Sequence, residues 1–278
     1  MVDWSAASRP GPPRETKDQI WLAWGTALRR FPPRYCRTRE EAFETLAELL
    51  AGRRGPALVG FDFPNAYPAG SGLGGGRETA QRLAALVEDA PDNRNNRFEV
   101  ARRLNRELGK LPGPFWMCPA KAADHALTVV RPSFEGRGFC EYRLVERRLR
   151  ARGKYPHSVW KLGGAGSVGS QALMGLPVVH RLLNLPSLAP NSRIWPFETG
   201  WDAALDGIVH AEIWPSLFRC DDQPYTIKDA RQVAAVRDAL LAADRDGCLR
   251  ALFARPGGLS ERENDMCLAE EGWILGVA

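Results

Sequence analysis

The chain lacks the long apolar segments of a membrane protein. None of its apolar runs approaches the roughly 20 residues that a membrane-crossing helix needs. The opening residues, "MVDWSAASRPG", also lack the basic stretch followed by an apolar stretch that marks a secretory signal. We therefore expect a cytoplasmic protein with no membrane partner.

Clustered cysteines and histidines are also missing. The six cysteines are scattered and form no Cys-x-x-Cys pair, which argues against a zinc site and favours reduced thiols. The chain has only four histidines and no Gly-x-Ser-x-Gly turn that would present a nucleophilic serine. A serine–histidine–acid hydrolase is therefore disfavoured.

The composition is that of an ordinary globular protein. Of the 278 residues, 44% are hydrophobic and 26% are charged, and this length suits one elaborated domain. The formal net charge of +5 permits, but does not require, binding to a polyanion. Six basic residues fall within 143–154, where they form either a solvated helix face or a phosphate-contacting surface.

Strand and helix patterns follow one another from the beginning of the chain. Two strand patterns, "MVDWSAAS" and "IWLAWGTA", predict a hairpin-like opening. Thr38, with Glu41 three residues later, predicts the capped start of an amphipathic helix. A continuous apolar strand, "PALVGFDFP", comes next and contains Asp62.

The rest of the chain continues this α/β pattern after an interruption. Residues 65–158 are irregular and helix-rich, and we interpret them as a helical insertion or lid. Four further segments then read as strand, helix, strand and strand: "SVWKL", "SQALMGLPVVHRLL", "RIWPFET" and "IVHAEIWPSLF". A late amphipathic helix covers "TIKDARQVAAVRDALLAA". The predicted fold is one α/β domain over 1–278, with a mixed sheet flanked by helices.

Four acidic residues lie in apolar surroundings. Asp3, Asp62 and Glu212 fall in or at the end of predicted strands, and Asp229 opens the last helix. A buried carboxylate is costly unless it is paired or bound to a cation, so convergence of these strands would create a site for divalent metal ions. Such ions activate water and stabilise the leaving oxygen in phosphodiester cleavage.

Each acid also has a purely structural interpretation. Asp229 can stabilise the N-terminus of its helix, Asp62 can form an Asx-type turn before Pro64, and Glu212 can pair with an arginine. His210, two residues before Glu212 and on the same strand face, is either a ligand or proton shuttle or a core histidine. These alternatives remain open from the sequence.

Four short motifs follow one another along the chain: Asp-x-Ser in "VDWSA", Asp-x-Pro in "VGFDFP", Glu-x-x-Pro in "AEIWPSLF" and Asp-Ala in "KDARQVAA" or "RDALLAA". Their order resembles that of an uncharacterised family of predicted nucleases with a ribonuclease H-like fold. The resemblance spans most of the chain. It implies a ribonuclease H-like mixed sheet on which Asp3, Asp62, Glu212 and Asp229 are catalytic acids that bind Mg²⁺ or Mn²⁺. The implied activity is metal-dependent cleavage of nucleic acid or of a nucleotide-like phosphodiester.

Two features depart from the family pattern. Relatives commonly carry His-Pro-Glu in the Glu-x-x-Pro strand, whereas this chain has Trp214-Pro215-Ser216 and lacks that acid. The last helix also offers a second Asp-Ala pair at Asp238, on the face opposite Asp229, and we prefer Asp229 because it lies at the helix entrance. The missing acid leaves an alternative function, a non-catalytic protein of the same fold that binds a nucleotide or nucleic acid.

The run "KLGGAGSVGS" matches the Gly-x-Gly-x-x-Gly spacing of a dinucleotide-binding loop. A dinucleotide-dependent enzyme is thus a third hypothesis, but Gly175 and Pro177 are expected to break the following helix, and no acid lies about 20 residues further on. We interpret the run instead as an anion-binding loop at a helix N-terminus. Its cofactor-binding candidates are Lys161, Gly164, Gly166, Ser167 and Gly169.

Overall fold

A computed structural model describes residues 1–278 and shows a six-stranded mixed sheet with helices on both faces. The strands are short: β1 (Val2–Asp3), β2 (Ile20–Leu22), β3 (Arg34–Cys36), β4 (Ala57–Phe61), β5 (Ser192–Ile194) and β6 (Ile208–Glu212). The helices are α1 (Arg39–Ala51), α2 (Gly76–Ala84), α3 (Arg97–Glu107), α4 (Leu144–Ala151), α5 (Val168–Asn184), α6 (Lys228–Arg245) and α7 (Glu261–Met266). The predicted α/β class with a mixed sheet and flanking helices is confirmed.

The strand order across the sheet is β3-β2-β1-β4-β6-β5. The first three strands form an antiparallel meander, whereas β1, β4, β6 and β5 run parallel to one another. In the register, Val2 lies opposite Phe61, and Phe61 lies opposite Glu212. The carboxyl ends of β1, β4 and β6 therefore meet at one edge of the sheet.

Local sequence signals explain several elements and fail for others. Thr38 caps α1 as predicted, accepting a hydrogen bond from the Glu41 amide at 3.1 Å. The strand predicted in "SVWKL" is wrong, because these residues form a turn with a single bridge at Lys161. Strand β3 carries no clear alternation and was not predicted.

The predicted break of α5 at Gly175 and Pro177 is also wrong, since the helix continues through both residues. Twelve of the 17 residues of α5 are buried, and tertiary packing outweighs the hydrogen bond that Pro177 cannot donate. Gly175 serves this packing directly: a Cβ atom there would come within 2.3 Å of the Phe63 ring. The glycine that predicts a helix end in the sequence is therefore the residue that lets the Phe63 ring approach the α5 backbone.

Two apolar cores lie on opposite faces of the sheet. The larger core includes Val2 of β1 together with Tyr67, Leu83 and Leu104 from the segment between β4 and β5. Within that segment α2 packs against α5. The smaller core contains Val209 and Ala211, which alternate along β6 with the residues that face the larger core. None of the helices combines the length and the apolar character needed to cross a membrane.

His210 belongs to the larger core side. It is fully buried, its ring is stacked with Phe61 at 6.2 Å, and neither ring nitrogen has a hydrogen-bond partner. Burial lowers the pKa of His210 to about 3, so the imidazole is neutral in the folded protein. The geometry favours the core interpretation, although without the hydrogen bonds that a buried histidine normally makes.

This burial predicts an acid sensitivity that belongs to His210. The unfolded chain takes up a proton on His210 below about pH 6.5 and the folded protein does not, so stability falls as pH decreases. Between pH 7 and 4.5 this loss is about 2 kcal/mol, and His210→Leu should remove it from urea unfolding curves. Replacement of the exposed His125 by leucine is the control; equal curves for both variants would contradict the prediction.

Candidate functional site

The pairing of β1 with β4 places two aspartates side by side. Asp3 ends β1, and Asp62 directly follows β4, whose Phe61 lies opposite Val2. The carboxyl groups of Asp3 and Asp62 are close enough to share a hydrogen bond. The Trp4 amide donates to Oδ1 of Asp62 at 2.8 Å and fixes the orientation of that carboxyl. Both side chains keep some solvent access at this edge of the sheet.

The environment of this pair favours retention of a proton. Burial, followed by the negative charge of Asp62, raises the pKa of Asp3 well above its usual range. Burial also raises the pKa of Asp62, to about 7, although hydrogen bonds from Asp3 and from the Trp4 amide oppose the increase. The two carboxyl groups therefore hold a proton at pH values where isolated aspartates are fully ionised.

Asp229 joins this pair from a different element. It lies in the first turn of α6, is buried, and contributes repulsion to the pKa of both Asp3 and Asp62. Burial also raises the pKa of Asp229 itself. Its Oδ2 accepts a hydrogen bond from the Asp18 amide at 2.6 Å. Three of the four predicted acids are thus brought together by two strands and a helix.

Sequence reasoning missed two residues at this site. One is Asp18, which with Asp3, Asp62 and Asp229 forms what we call the acid cluster, and the other is Gln171, which contacts that cluster. Asp18, in the loop before β2, adopts a left-handed backbone with φ 60° and adds its charge to the field on Asp3. Gln171 projects from the first turns of α5, and its Nε2 donates to the Trp4 carbonyl at 2.6 Å and to Oδ2 of Asp62 at 3.3 Å. Neither residue follows a motif. Only the three-dimensional meeting of their elements with β1 and β4 identifies them.

Glu212 is not brought to the acid cluster. Because Val2, Phe61 and Glu212 are register partners, they share one face of the sheet, and Asp3, which follows Val2, points to the other. Both carboxylate oxygens of Glu212 accept from the buried Arg143, at 2.6 and 2.7 Å. The structure thus shows the arginine pairing that was one of the two sequence interpretations of this residue.

The Arg143 guanidinium is the centre of a buried ionic network. It also donates to Glu146 at 2.8 Å, while the Asn65 amide donates to Glu212 at 3.2 Å. Glu271 adds a third buried carboxylate, which accepts from the Ala69 amide at 2.8 Å and from the backbone at the start of α4. Burial raises the pKa of Glu146 despite its contact with Arg143. This network ties the loop after β4 to α4, β6 and the last residues of the chain.

Asp238 lies apart from the other aspartates. Its carboxylate contacts Arg30 at 3.0 Å, Arg237 at 2.8 Å and the Gln223 amide group at 3.0 Å. Asp229, not Asp238, is therefore the aspartate of α6 that adjoins the acid cluster, in agreement with the preference based on its position at the helix entrance.

The glycine run is shaped mainly by packing. A Cβ atom at Gly163 or Gly169 would come within 2.4 Å of a backbone carbonyl, and Gly164 and Gly166 have left-handed backbones with φ 69° and 68°. The Gly169 amide donates to the Lys161 carbonyl at 3.0 Å, and the Lys161 ammonium donates to the Ala165 carbonyl at 2.6 Å.

These internal bonds occupy two of the groups proposed for anion binding. The run nevertheless leads into α5 at Ser167, four residues before Gln171, so it lies near the Asp62 end of the site. Its cofactor-binding role stays a prediction.

As the side chains stand, no group of three or more histidine, cysteine, aspartate or glutamate residues is arranged to hold a metal ion. Comparisons of the chain with protein-family models, curated proteins and solved structures gave no match. The geometry and chemistry of the acid cluster, Asp3, Asp62, Asp229 and Asp18, are therefore the features that point to a function.

Removal of the Arg143 charge should strongly destabilise the protein. Arg143→Met leaves Glu146 and Glu212 buried without their cation, and we expect a loss of about 3–5 kcal/mol in the free energy of unfolding. Urea denaturation at pH 7 measures this loss. Arg147→Met, an exposed position of the same helix, is the matched control and should change stability by less than about 0.5 kcal/mol. A similar small effect for Arg143→Met would contradict the structural role of the network.

The aspartate pair should make the metal-free protein less stable as pH rises. The folded protein retains a proton on Asp62 up to about pH 7 while the unfolded chain loses it near pH 4, so stability decreases across this interval. Asp62→Asn should remove about 2 kcal/mol of the difference in unfolding free energy between pH 5 and 8.

Unfolding curves in EDTA at the two pH values provide the measurement. Asp221→Asn, at an exposed position, is the control. An Asp62→Asn protein whose stability fell with pH as steeply as the control would show that the pair does not hold a shared proton.

Proposed function

We propose that the chain is a metal-dependent phosphodiesterase with a ribonuclease H-like fold, acting on nucleic acid or on a nucleotide-like phosphodiester. The observation that carries this proposal is the convergence of Asp3, Asp62 and Asp229 from β1, β4 and α6 at one edge of the sheet. Acidic residues held close together against their mutual repulsion lower the stability of a fold. Such a cluster therefore indicates a functional site.

The sheet topology supports the fold component. The family resemblance implies a mixed sheet, and the observed mixed sheet agrees with it and places Asp3 on a central strand. Because one fold hosts many activities, the activity follows from the site rather than from the topology. The acid cluster carries the functional argument.

The donor set suits a hard divalent cation. Mg²⁺ and Mn²⁺ prefer carboxylate oxygens, and Asp3, Asp62 and Asp229 would hold such an ion, with Asp18 beside them. A bound cation would replace the shared proton of the Asp3–Asp62 pair and would offset the burial and the repulsion that raise the pKa of both groups. When bound, the ion would supply Lewis-acid stabilisation of the phosphodiester and an acidified water.

The surrounding groups orient the carboxylates. The Trp4 amide and Gln171 hold one oxygen each of Asp62, and the Asp18 amide holds one oxygen of Asp229. Because backbone amides do not change rotamer, two of the three acids keep their positions before any ligand binds. Glu212 has no part in this proposal, because it faces away from Asp3 and its charge is neutralised by the guanidinium of Arg143.

The position of Glu212 also favours a second candidate function. With Glu212 sequestered and Ser216 in place of a further acid, the site has fewer free carboxylates than the motif pattern implies. A protein of this kind would bind a nucleotide or nucleic acid without cleaving it. Binding that needs no metal ion and leads to no turnover would favour this candidate.

Hydrolysis assays test the first proposal. The purified protein with Mn²⁺ or Mg²⁺ should cleave at least one of bis(4-nitrophenyl) phosphate, single-stranded or duplex DNA, and RNA. Asp3→Asn and Asp62→Asn should each reduce the rate by at least about 100-fold, since each removes a carboxylate that would hold the ion. Asp246→Asn, at an exposed position paired with Arg245, is the matched control and should retain the rate.

Calorimetric titration with Mn²⁺ completes the test. Heat of binding for the wild type and its loss in Asp62→Asn would support the metal site. Failure of the wild-type protein both to bind Mn²⁺ and to hydrolyse any of these substrates would refute the proposed function.

A further inference from the structure

A basic groove lies next to the acid cluster. It has a volume of about 610 Å³ and runs between the loop at Pro12–Lys17 and the start of α6. Four of its nine lining residues are cationic, and one, Glu15, is acidic. The cationic residues, called the groove cations below, are Arg14, Lys17, Lys228 and Arg231.

The groove cations have no partners within the protein. Most buried or partly buried arginines of the chain form ion pairs or donate to carbonyl oxygens, whereas none of these four side chains makes a salt bridge or a hydrogen bond. The Nε atom of Arg231 is buried and still lacks an acceptor. A buried donor without an acceptor costs free energy, which an anion bound in the groove would recover.

The start of α6 adds further donors to the same wall. Thr226, Ile227 and Lys228 line the groove, and no side chain caps the N-terminus of this 18-residue helix. Uncapped N-terminal amides and the helix dipole favour an anion at this position. The cations and the helix end thus act on the same volume.

The groove and the acid cluster share one wall. Lys17 precedes Asp18, Lys228 precedes Asp229, and the hydrogen bond from the Asp18 amide to Asp229 holds the two segments together at 2.6 Å. A ligand that crosses this wall has one part beside the carboxylates and another beside the groove cations.

We infer that the groove binds backbone phosphates of a nucleic-acid strand adjacent to the phosphodiester held at the acid cluster. This inference deepens the proposed function and rests on it for the position of the reacting phosphodiester. Only Ile227 among the lining residues is hydrophobic, and no aromatic side chain is present to stack on a base, so the groove recognises phosphates rather than bases.

The test measures strand binding without catalysis. Fluorescence anisotropy in EDTA follows a labelled 12-nucleotide single strand bound to the 278-residue chain at several salt concentrations. The groove variant is Arg14→Gln/Lys17→Gln/Arg231→Gln. The control variant is Arg54→Gln/Lys121→Gln/Arg250→Gln, whose three positions are exposed. Each triple substitution removes three positive charges, so the formal net charge falls from +5 to +2 in both proteins.

The groove variant should bind the strand at least about 10-fold more weakly, and the slope of log affinity against log salt should decrease by about 2, as expected for three lost phosphate contacts. The control variant should change affinity by less than about threefold. Equal losses in both variants, or no loss in either, would overturn the inference. Competition by inorganic phosphate as effective as by unlabelled strand at equal phosphate concentration would overturn the assignment to a strand.

The two proposals fail separately. If the protein binds the strand through the groove but hydrolyses nothing with Mn²⁺, the groove inference stands and the proposed phosphodiesterase activity is refuted. If the protein hydrolyses phosphodiesters and the groove variant binds the strand as well as the wild type does, the proposed activity stands and the groove inference is refuted. Thermal unfolding of both triple variants checks that each is folded.

Discussion

The parallel pairing of β1 with β4 is the constraint on which the site depends. Once Val2 lies opposite Phe61, the next residues along the two chains, Asp3 and Asp62, become neighbours at the carboxyl edge of the sheet. Ionisation of both carboxyl groups within hydrogen-bonding reach of each other costs free energy, so the fold must hold a proton or a cation there. The Trp4 amide, Gln171 and the Asp18–Asp229 contact all act on this arrangement.

Two kinds of buried charge lie near the carboxyl edge of the sheet. Asp3 points towards α6, whereas strand alternation points Glu212 to the other face, and Arg143 at the start of α4 binds Glu212 at the end of β6. The buried carboxylates of the Arg143 network have hydrogen-bond donors within the protein, since they accept from a guanidinium and from backbone amides. The acid cluster contains no guanidinium or ammonium partner of its own. This contrast indicates a structural role for the first group and a ligand-binding role for the second.

The sequence was informative where a local signal decides the structure. The Thr38 cap, the apolar run of β4 and the stripe of α6 each gave the correct element, and the acidic residues at strand ends gave three members of the acid cluster. The pairing register of the strands could not be predicted from the sequence, because a shift of one residue moves a side chain to the other face of the sheet. Glu212 shows this limit: its strand was correctly predicted, but its face depends on pairing with β4.

Other parts of the site were hidden for a different reason. Asp18 and Gln171 reach the acid cluster from segments that are distant from Asp62 in the chain, and neither has a composition or spacing that marks it. Gly175 and Pro177 carry the local signal of a helix end, yet the buried faces of α5 keep the helix intact. In both cases long-range packing decides the outcome, and a single sequence does not display it.

The start of α6 resolves an apparent contradiction in the electrostatics. A surface rich in carboxylates repels a polyanionic substrate, and a metal ion alone would compensate only at the point of reaction. Here Asp229 turns towards Asp18 and the acid cluster, while Lys228 and Arg231, on the same helix, line the neighbouring groove. One helix therefore supplies a carboxylate to the acidic side and cations to the basic side. A nucleic-acid strand that approaches along the groove would contact the positive charges first. Its phosphodiester would come next to the carboxylates at the point where a bound cation has replaced their shared proton.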